Sequence, residues 1–379
     1  MNRRKIHKRI PNEVIAFTLA FLCSWALILA FITSSMSDVH RSDGTRSFRF
    51  QYDGKVPDTD NDGASPVWGT AVRLVSNSTE TVFAIPDIKP IRGVIVLLHA
   101  CTHNALKFFS QSPKCAMCVG LSEELRIARI LLARGYAILA ITSQDRASGC
   151  WSNRDKANIQ AALTEFHSIL NLDLIPSNSI AIGASSGGRF AAELAADGVV
   201  KAALVMVMSL GPVLRKRLAT MGNTMPYIYL APMPRDALTT QAVVSDFDNI
   251  NHMLSLSSES RLVLDTTTCV ALPVTEEYLH ERVPNMRRDM ADKIVQALLE
   301  AQHLDSNRLL RKDPTSSNWR NVLQESCAES CLEHQSLAPG RSPLAKALHR
   351  AWAFHEYCSE VIEKALDYFE KASANQIGG

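Results

Sequence analysis

Outside its first nine residues this chain has little surplus of charge of either sign. Arg3, Arg4, Lys5, Lys8 and Arg9 stand there without an acidic neighbour; removing those five from 40 basic residues leaves 35 against 38 acidic ones, a net charge of −3. A body so nearly neutral has no basic footprint for nucleic acid. The chain also lacks internal repeats and low-complexity tracts, which removes the repeat architectures. It carries one Cys-x-x-Cys, Cys115 to Cys118, and no second, so the spacing of the common zinc sites is missing. What is present is ordinary for a globular protein: 379 residues, 46% hydrophobic and 21% charged, enough for one large α/β domain with additions.

A second absence is of charge within one stretch. Residues 14–32 form a nineteen-residue run of apolar character without a single charged residue. That length suits a transmembrane helix, and a secretory signal peptide has a shorter apolar region. The small residues Ser34, Ser35 and Ser37 keep the cleaved alternative open. With residues 1–13 as a basic tail, the positive charges ahead of the span predict a cytoplasmic N-terminus and a single-pass type II topology. Everything after residue 36 is then expected in the lumen of the secretory pathway or outside the cell. Residues 37–66 are polar and read as a stalk. Asn77-Ser78-Thr79 is a glycosylation sequon, usable only on that side of a membrane.

From residue 67 to 379 the pattern is that of one domain. A hairpin is predicted over 70–75 and 81–85, and a buried strand over 93–98. Helix and strand then alternate: helices at 121–134, 156–170 and 236–256, strands at 136–142, 180–182, 199–208, 225–230 and 261–264. This alternation implies a mostly parallel sheet with helices on both faces. After Pro284 no strand is evident, and residues 284–345 read as a helical insertion placed in sequence to serve as a lid. An amphipathic helical region, 344–370, closes the chain.

The sequence Gly183-Ala184-Ser185-Ser186-Gly187-Gly188 follows the apolar strand at 180–182 and precedes a helix-forming run. Gly-x-Ser-x-Gly in that setting is a nucleophile elbow, with the serine on a sharp turn and glycines where backbones approach. A serine hydroxyl needs a base, and the base needs an acid to orient it. In hydrolases with this elbow the chain order is serine, acid, histidine. Asp236, in the loop after the strand at 225–230, fits the acid, and it equally fits an N-cap of the next helix. Asp246, Asp248 and Asp265 are weaker choices. His355, just ahead of the last helix, is the expected base, with His280 as the alternative. Two backbone donors are expected for the oxyanion, the N–H groups of Ser186 and of Cys101 in the loop His99-Ala100-Cys101-Thr102-His103.

Nine cysteines are many for a reducing compartment. Cys101, Cys115, Cys118 and Cys150 cluster around the loops just named and are the leading disulfide candidates. The competing reading is a zinc site made from His99, Cys101, His103, Cys115 and Cys118. No cofactor is expected on the disulfide reading.

With these motifs in view, the chain resembles a group of largely uncharacterised α/β-hydrolase-like proteins from plants and algae. The matching pieces are His99 to His103, Ser112 to Leu121, Cys150-Trp151-Ser152, Gly183 to Gly188, Arg311-Lys312-Asp313 with Trp319, and Phe354-His355-Glu356. They run from about residue 93 to the C-terminus. The resemblance implies an α/β-hydrolase fold, favours His355 over His280, and aligns Asp236 with the family's acid. Ala100 departs from the family's glycine, and Arg189 stands where a tyrosine is common. The expectation is a membrane-attached serine hydrolase acting on a small-molecule or lipid-like acyl substrate, an ester, thioester or amide. The alternative is a catalytically inactive protein of the same fold that binds or scaffolds.

Overall fold

The computed structural model describes residues 72–76, 79–171, 178–254, 261–331, 337–338 and 340–377. The predicted tail, membrane span and stalk, and the sequon at Asn77, lie outside the described residues. Among the described residues no helix is long and apolar enough to cross a membrane.

Eight strands form one sheet: β1 (Val72–Ser76), β2 (Thr79–Ala84), β3 (Gly93–Leu98), β4 (Tyr136–Ile141), β5 (Ile180–Ala184), β6 (Ala202–Met206), β7 (Tyr227–Ala231) and β8 (Leu262–Leu264). Their order is β1-β2-β4-β3-β5-β6-β7-β8. Only β2 runs against the others, pairing antiparallel with β1 and β4, and β3 to β8 are parallel neighbours. The central strands are apolar along their whole length because both faces are covered. Alternate residues nevertheless divide between two cores. Ile95 and Leu97 of β3 face one side, where they meet helices α1 (Ser122–Ala133) and α10 (Ile362–Ile377). Val94, Val96 and Leu98 face the other, among α2 (Lys156–Leu170), α3 (Ser186–Ala196), α4 (Gly211–Thr220) and α5 (Ala237–Leu254).

The remaining helices, α6 (Glu276–Arg282), α7 (Arg288–Glu300), α8 (Trp319–Cys331) and α9 (Pro343–Trp352), enclose a third core around Trp319, Leu298 and Leu348. The helical segment therefore begins earlier than the predicted 284, at the short α6 capped by Thr275. It is tied to the sheet body by buried charge. Arg282 pairs with Glu123 of α1 and with Glu360, and Arg350 of α9 donates to Glu360 at 2.9 Å. Ser122 donates to the carbonyl of Pro343 at 2.6 Å.

Within the helical region 344–370, α9 stops at Trp352, Ala353 and His355 take left-handed φ of 58° and 46°, and α10 starts at Ile362, so His355 stands on a loop ahead of the last helix. Amphipathic periodicity continues through the break, so tertiary ties decide it: Lys346 pairs with Glu356 at 2.8 Å and Cys358 is bonded to Cys269. Helix α4, which follows β6, gave no clear periodic signal in the sequence.

The chain passes from β3 out to β4 and returns to β5 on the far side of β3. The strand order therefore reverses at the carboxyl ends of β3 and β5, the place where sheets of this kind hold ligands. A sheet in this order, with β5 leading into a serine turn and helix α3, is the α/β-hydrolase fold.

Candidate active site

The turn after β5 is made by close packing. A Cβ on Gly183 would lie 2.4 Å from the carbonyl carbon of Gly187, and one on Gly187 would lie 2.3 Å from the carbonyl oxygen of Leu98. No side chain fits at either place, so the start of α3 presses directly on the ends of β5 and β3. Ser185 is held at the apex with φ 54° and ψ −127°, outside the regions that L residues favour. Its N–H donates to the carbonyl of Met206 at 3.0 Å, which fixes the apex to the neighbouring strand.

The other two groups arrive from loops at the same end of the sheet. Asp236 follows β7 and is buried, while the His355 side chain is 39% exposed. His355 Nδ1 lies 2.7 Å from Asp236 Oδ2, and His355 Nε2 lies 3.0 Å from Ser185 Oγ. A carboxylate only accepts, so the ring proton belongs on Nδ1, and the Nε2 lone pair then faces the serine hydroxyl. The second carboxylate oxygen, Oδ1, accepts the Thr239 N–H at 3.2 Å. Asp236 thus caps α5 with one oxygen and orients the histidine with the other, and the two readings of this residue are compatible.

His280 is not brought to this site. Its Nδ1 lies 2.6 Å from the carbonyl of Met286, an internal contact of the helical segment, so the alternative base is withdrawn. Asp246 is taken up by Ser209, Leu210 and Arg215. Asp265 accepts from Tyr229, Thr267 and Thr268; burial pushes its carboxyl up, but those hydrogen bonds outweigh it and hold the pKa down at about 2.

The loop after β3 lies beside the elbow. Cys101 is bonded to Cys150, and its sulfur is 3.1 Å from Ser186 Oγ. A disulfide sulfur has no proton, so the Ser186 hydroxyl is the donor. The N–H of Ser186, first residue of α3, has no partner within its helix. The two expected oxyanion donors are therefore carried by residues in side-chain contact across the mouth of the elbow.

The zinc reading is corrected by the same loop. Cys115 is bonded to Cys118, so neither cysteine pair presents thiolates, and no metal-ligating cluster occurs among the described residues. His99 is fully buried and doubly engaged: the Ser143 N–H donates to its Nε2 at 2.9 Å, which leaves Nδ1–H to donate to the Ala100 carbonyl at 2.8 Å. Burial in an apolar site, only partly opposed by that carbonyl, lowers its pKa from 6.5 to about 3. His103 Nδ1 lies 2.9 Å from the buried Glu124, a close contact that is not aligned as a hydrogen bond.

Three supporting residues were given no role by the sequence reading, although Trp151 and Glu356 belong to its matching pieces. Trp151 donates from Nε1 to the His99 carbonyl at 2.7 Å and stacks on Phe190 of α3 at 5.1 Å, bracing the oxyanion loop against the elbow helix. Tyr357 donates its hydroxyl to the Leu98 carbonyl at 3.0 Å. The buried Glu356 pairs with Lys346; burial raises its carboxyl, yet Lys346, His103 and His349 together outweigh that and keep the carboxylate below its ordinary range. Tyr357 had only its position beside Glu356 as a signal. A shallow groove of about 550 Å³ lined by Pro212, Val213, Lys216, Arg217 and Thr220 shares no residue with the Ser185 site.

No protein-family model matches the chain, and no curated protein does. Solved structures similar to it include a predicted CIB-like hydrolase from Thermoplasma acidophilum, at 11% identity over 56% of this chain and 91% of that one, with a TM-score of 0.37. An alpha-beta serine hydrolase homologue from Coxiella burnetii matches at 14% identity over 54% of this chain and 90% of that one, TM-score 0.34. A carboxyl esterase from the mycorrhizal fungus Tuber melanosporum matches at 13% over 53% and 76%, TM-score 0.34. Scores of this size carry no argument, and the fold is assigned from the strand order and the elbow.

Proposed function

We propose that the chain is a serine hydrolase that cleaves a carboxylic ester, thioester or amide. The observation that carries this reading is the continuous line from Asp236 through His355 to Ser185, 2.7 Å and 3.0 Å long in its two links. Ser185 Oγ attacks the acyl carbon as His355 Nε2 takes its proton. Asp236 keeps the imidazole in the tautomer that can do so and stabilises the imidazolium that forms. The N–H groups of Ser186 and Cys101 bind the oxygen as it becomes negative. His355 then returns the proton to the leaving group, and a water repeats the sequence to release the acid.

Residues 14–32 attach this domain to a membrane, with the catalytic side lumenal or extracellular. Three disulfides in the described residues support an oxidising compartment. Glycosidase treatment of protein from secretory membranes checks the topology, since a mobility shift that an Asn77→Gln variant lacks is expected.

The test of the chemistry is hydrolysis of a panel of p-nitrophenyl esters by the full chain and by Ser185→Ala. The variant should lose roughly 10⁴-fold or more in kcat/KM. Equal hydrolysis by both chains would refute the assignment of Ser185.

A further inference from the structure

The three disulfides are not equally placed. Cys115 and Cys118 are buried, and so are Cys269 and Cys358, whereas Cys101 and Cys150 are each only half-buried. This accessible pair is also the one that touches the elbow, through the Ser186 hydroxyl at 3.1 Å.

Its second arm ends in a rigid loop. Asp145 accepts the N–H groups of Ala147 and Ser148 at 3.0 and 3.1 Å and the Ser148 hydroxyl at 2.5 Å, and Gly149 N–H donates to the Asp145 carbonyl at 2.8 Å. Gly149 has a φ of 64°, and a Cβ there would sit 2.7 Å from the Thr102 nitrogen, so this loop lies hard against the turn that bears Cys101. That turn is itself strained, since Thr102 has a φ of 65°. Hydrogen bonds hold it, His103 N–H to the Ala100 carbonyl at 3.1 Å, Thr102 N–H to the Ser148 carbonyl at 2.8 Å and the His99 ring to the Ala100 carbonyl at 2.8 Å. The disulfide is the covalent member of the set.

Resting on the serine-hydrolase reading, we propose that the Cys101–Cys150 disulfide is a positioning clamp for the oxyanion hole, so that a dithiol reductant switches turnover down without unfolding the protein. The step balances. A reductant thiolate attacks one protein sulfur and forms a mixed disulfide, releasing the other cysteine as a thiol. The second thiol of the same reductant then displaces the first cysteine. Two electrons pass to the protein, two cysteine thiols result, and the reductant leaves as its own cyclic disulfide. The turn at 100–103 is then held by hydrogen bonds without a covalent tie, and the Cys101 N–H is no longer fixed beside that of Ser186. Loss of a preorganised oxyanion donor is a change in the chemical step, so it appears in kcat while KM stays near its starting value.

The experiment compares the wild-type full chain, Cys150→Ala and a Cys115→Ala/Cys118→Ala double variant. The readouts are the rate of fluorophosphonate labelling at Ser185, kcat and KM on a p-nitrophenyl ester, and the thermal midpoint. Cys150→Ala should label and turn over roughly tenfold or more slowly with KM little changed. The double variant should match wild type. Dithiothreitol should reproduce the slowing in wild type, with alkylation and peptide mapping finding Cys101 and Cys150 reduced first. This wild-type arm decides the matter if Cys150→Ala fails to fold. Equal rates in Cys150→Ala and wild type, or equal slowing in the double variant, overturn the clamp and leave the hydrolase reading intact. Absence of any labelling of wild type at Ser185 overturns the hydrolase reading itself, and the clamp with it.

Discussion

The elbow and the loop that delivers His355 stand 3.0 Å apart at their reacting atoms, but they are built by opposite means. The elbow is local. Its shape comes from Gly183, Gly187 and the strand before them, and its backbone is pressed against Leu98, His99 and Met206. The His355 loop is held from far along the chain, by Lys346 on Glu356, by the bond from Cys358 to Cys269, by Ser359 N–H on Glu123 at 2.9 Å, and by Tyr357 on Leu98. One half of the site is fixed by what cannot fit, the other by ties that can be cut singly.

The sharpest way to break this comparison is to place a methyl group in the elbow. Gly187→Ala forces a Cβ to within 2.3 Å of backbone that has nowhere to go. A loss of stability of at least ~3 kcal/mol is expected, together with loss of activity. Denaturant melts and ester hydrolysis of the purified variant check both; a stable, active Gly187→Ala protein would show that the turn is loose.

Cutting one tie of the base loop should act less severely. Glu356→Gln removes a buried charge and leaves the Lys346 ammonium unpaired, at a cost of about 3 kcal/mol. His355 then wanders from Ser185, and kcat should fall ~10–100-fold while the sheet remains folded. A variant equal to wild type in kcat would mean that the remaining ties suffice.

A further effect, on stability and not on turnover, concerns pH. His99 has a folded pKa of about 3 against 6.5 when exposed, so the unfolded chain takes up a proton that the folded one refuses. Its contribution to stability is complete above pH 6.5 and is lost as the pH falls towards 3. The slope from this group is about 1.4 kcal/mol per pH unit. Urea melts from pH 7 to 4 should show His99→Asn with the flatter dependence, and identical slopes would contradict the assignment.

The same contrast explains what could be read in the sequence. The elbow was legible because glycine spacing and an apolar strand are local signals. The parallel sheet followed from the alternation of strand and helix, and several strand ends fall within a residue or two of expectation. Asp236 was legible in part, its position after β7 suggesting both a cap and an acid, and the structure places it in contact with Thr239 and His355 together. A loop ahead of the last helix was expected, but its start at Ala353 was not legible, because residues on both sides keep a helical period and contacts with Lys346, Cys269 and Glu123 shape the loop. Helix α4 was missed for a related reason: its burial rests on few positions, chiefly Leu214 and Leu218. The pairing of Cys101 with Cys150, 49 residues away, depends on loop packing that no spacing rule contains.

The measurement closest to the central claim is site-resolved labelling of the full chain with a fluorophosphonate, followed by peptide mass spectrometry. The account predicts one adduct per chain, on Ser185, abolished in Ser185→Ala and strongly slowed in His355→Ala. A folded protein that hydrolyses esters yet carries no adduct on Ser185, or carries it on another residue, would contradict it.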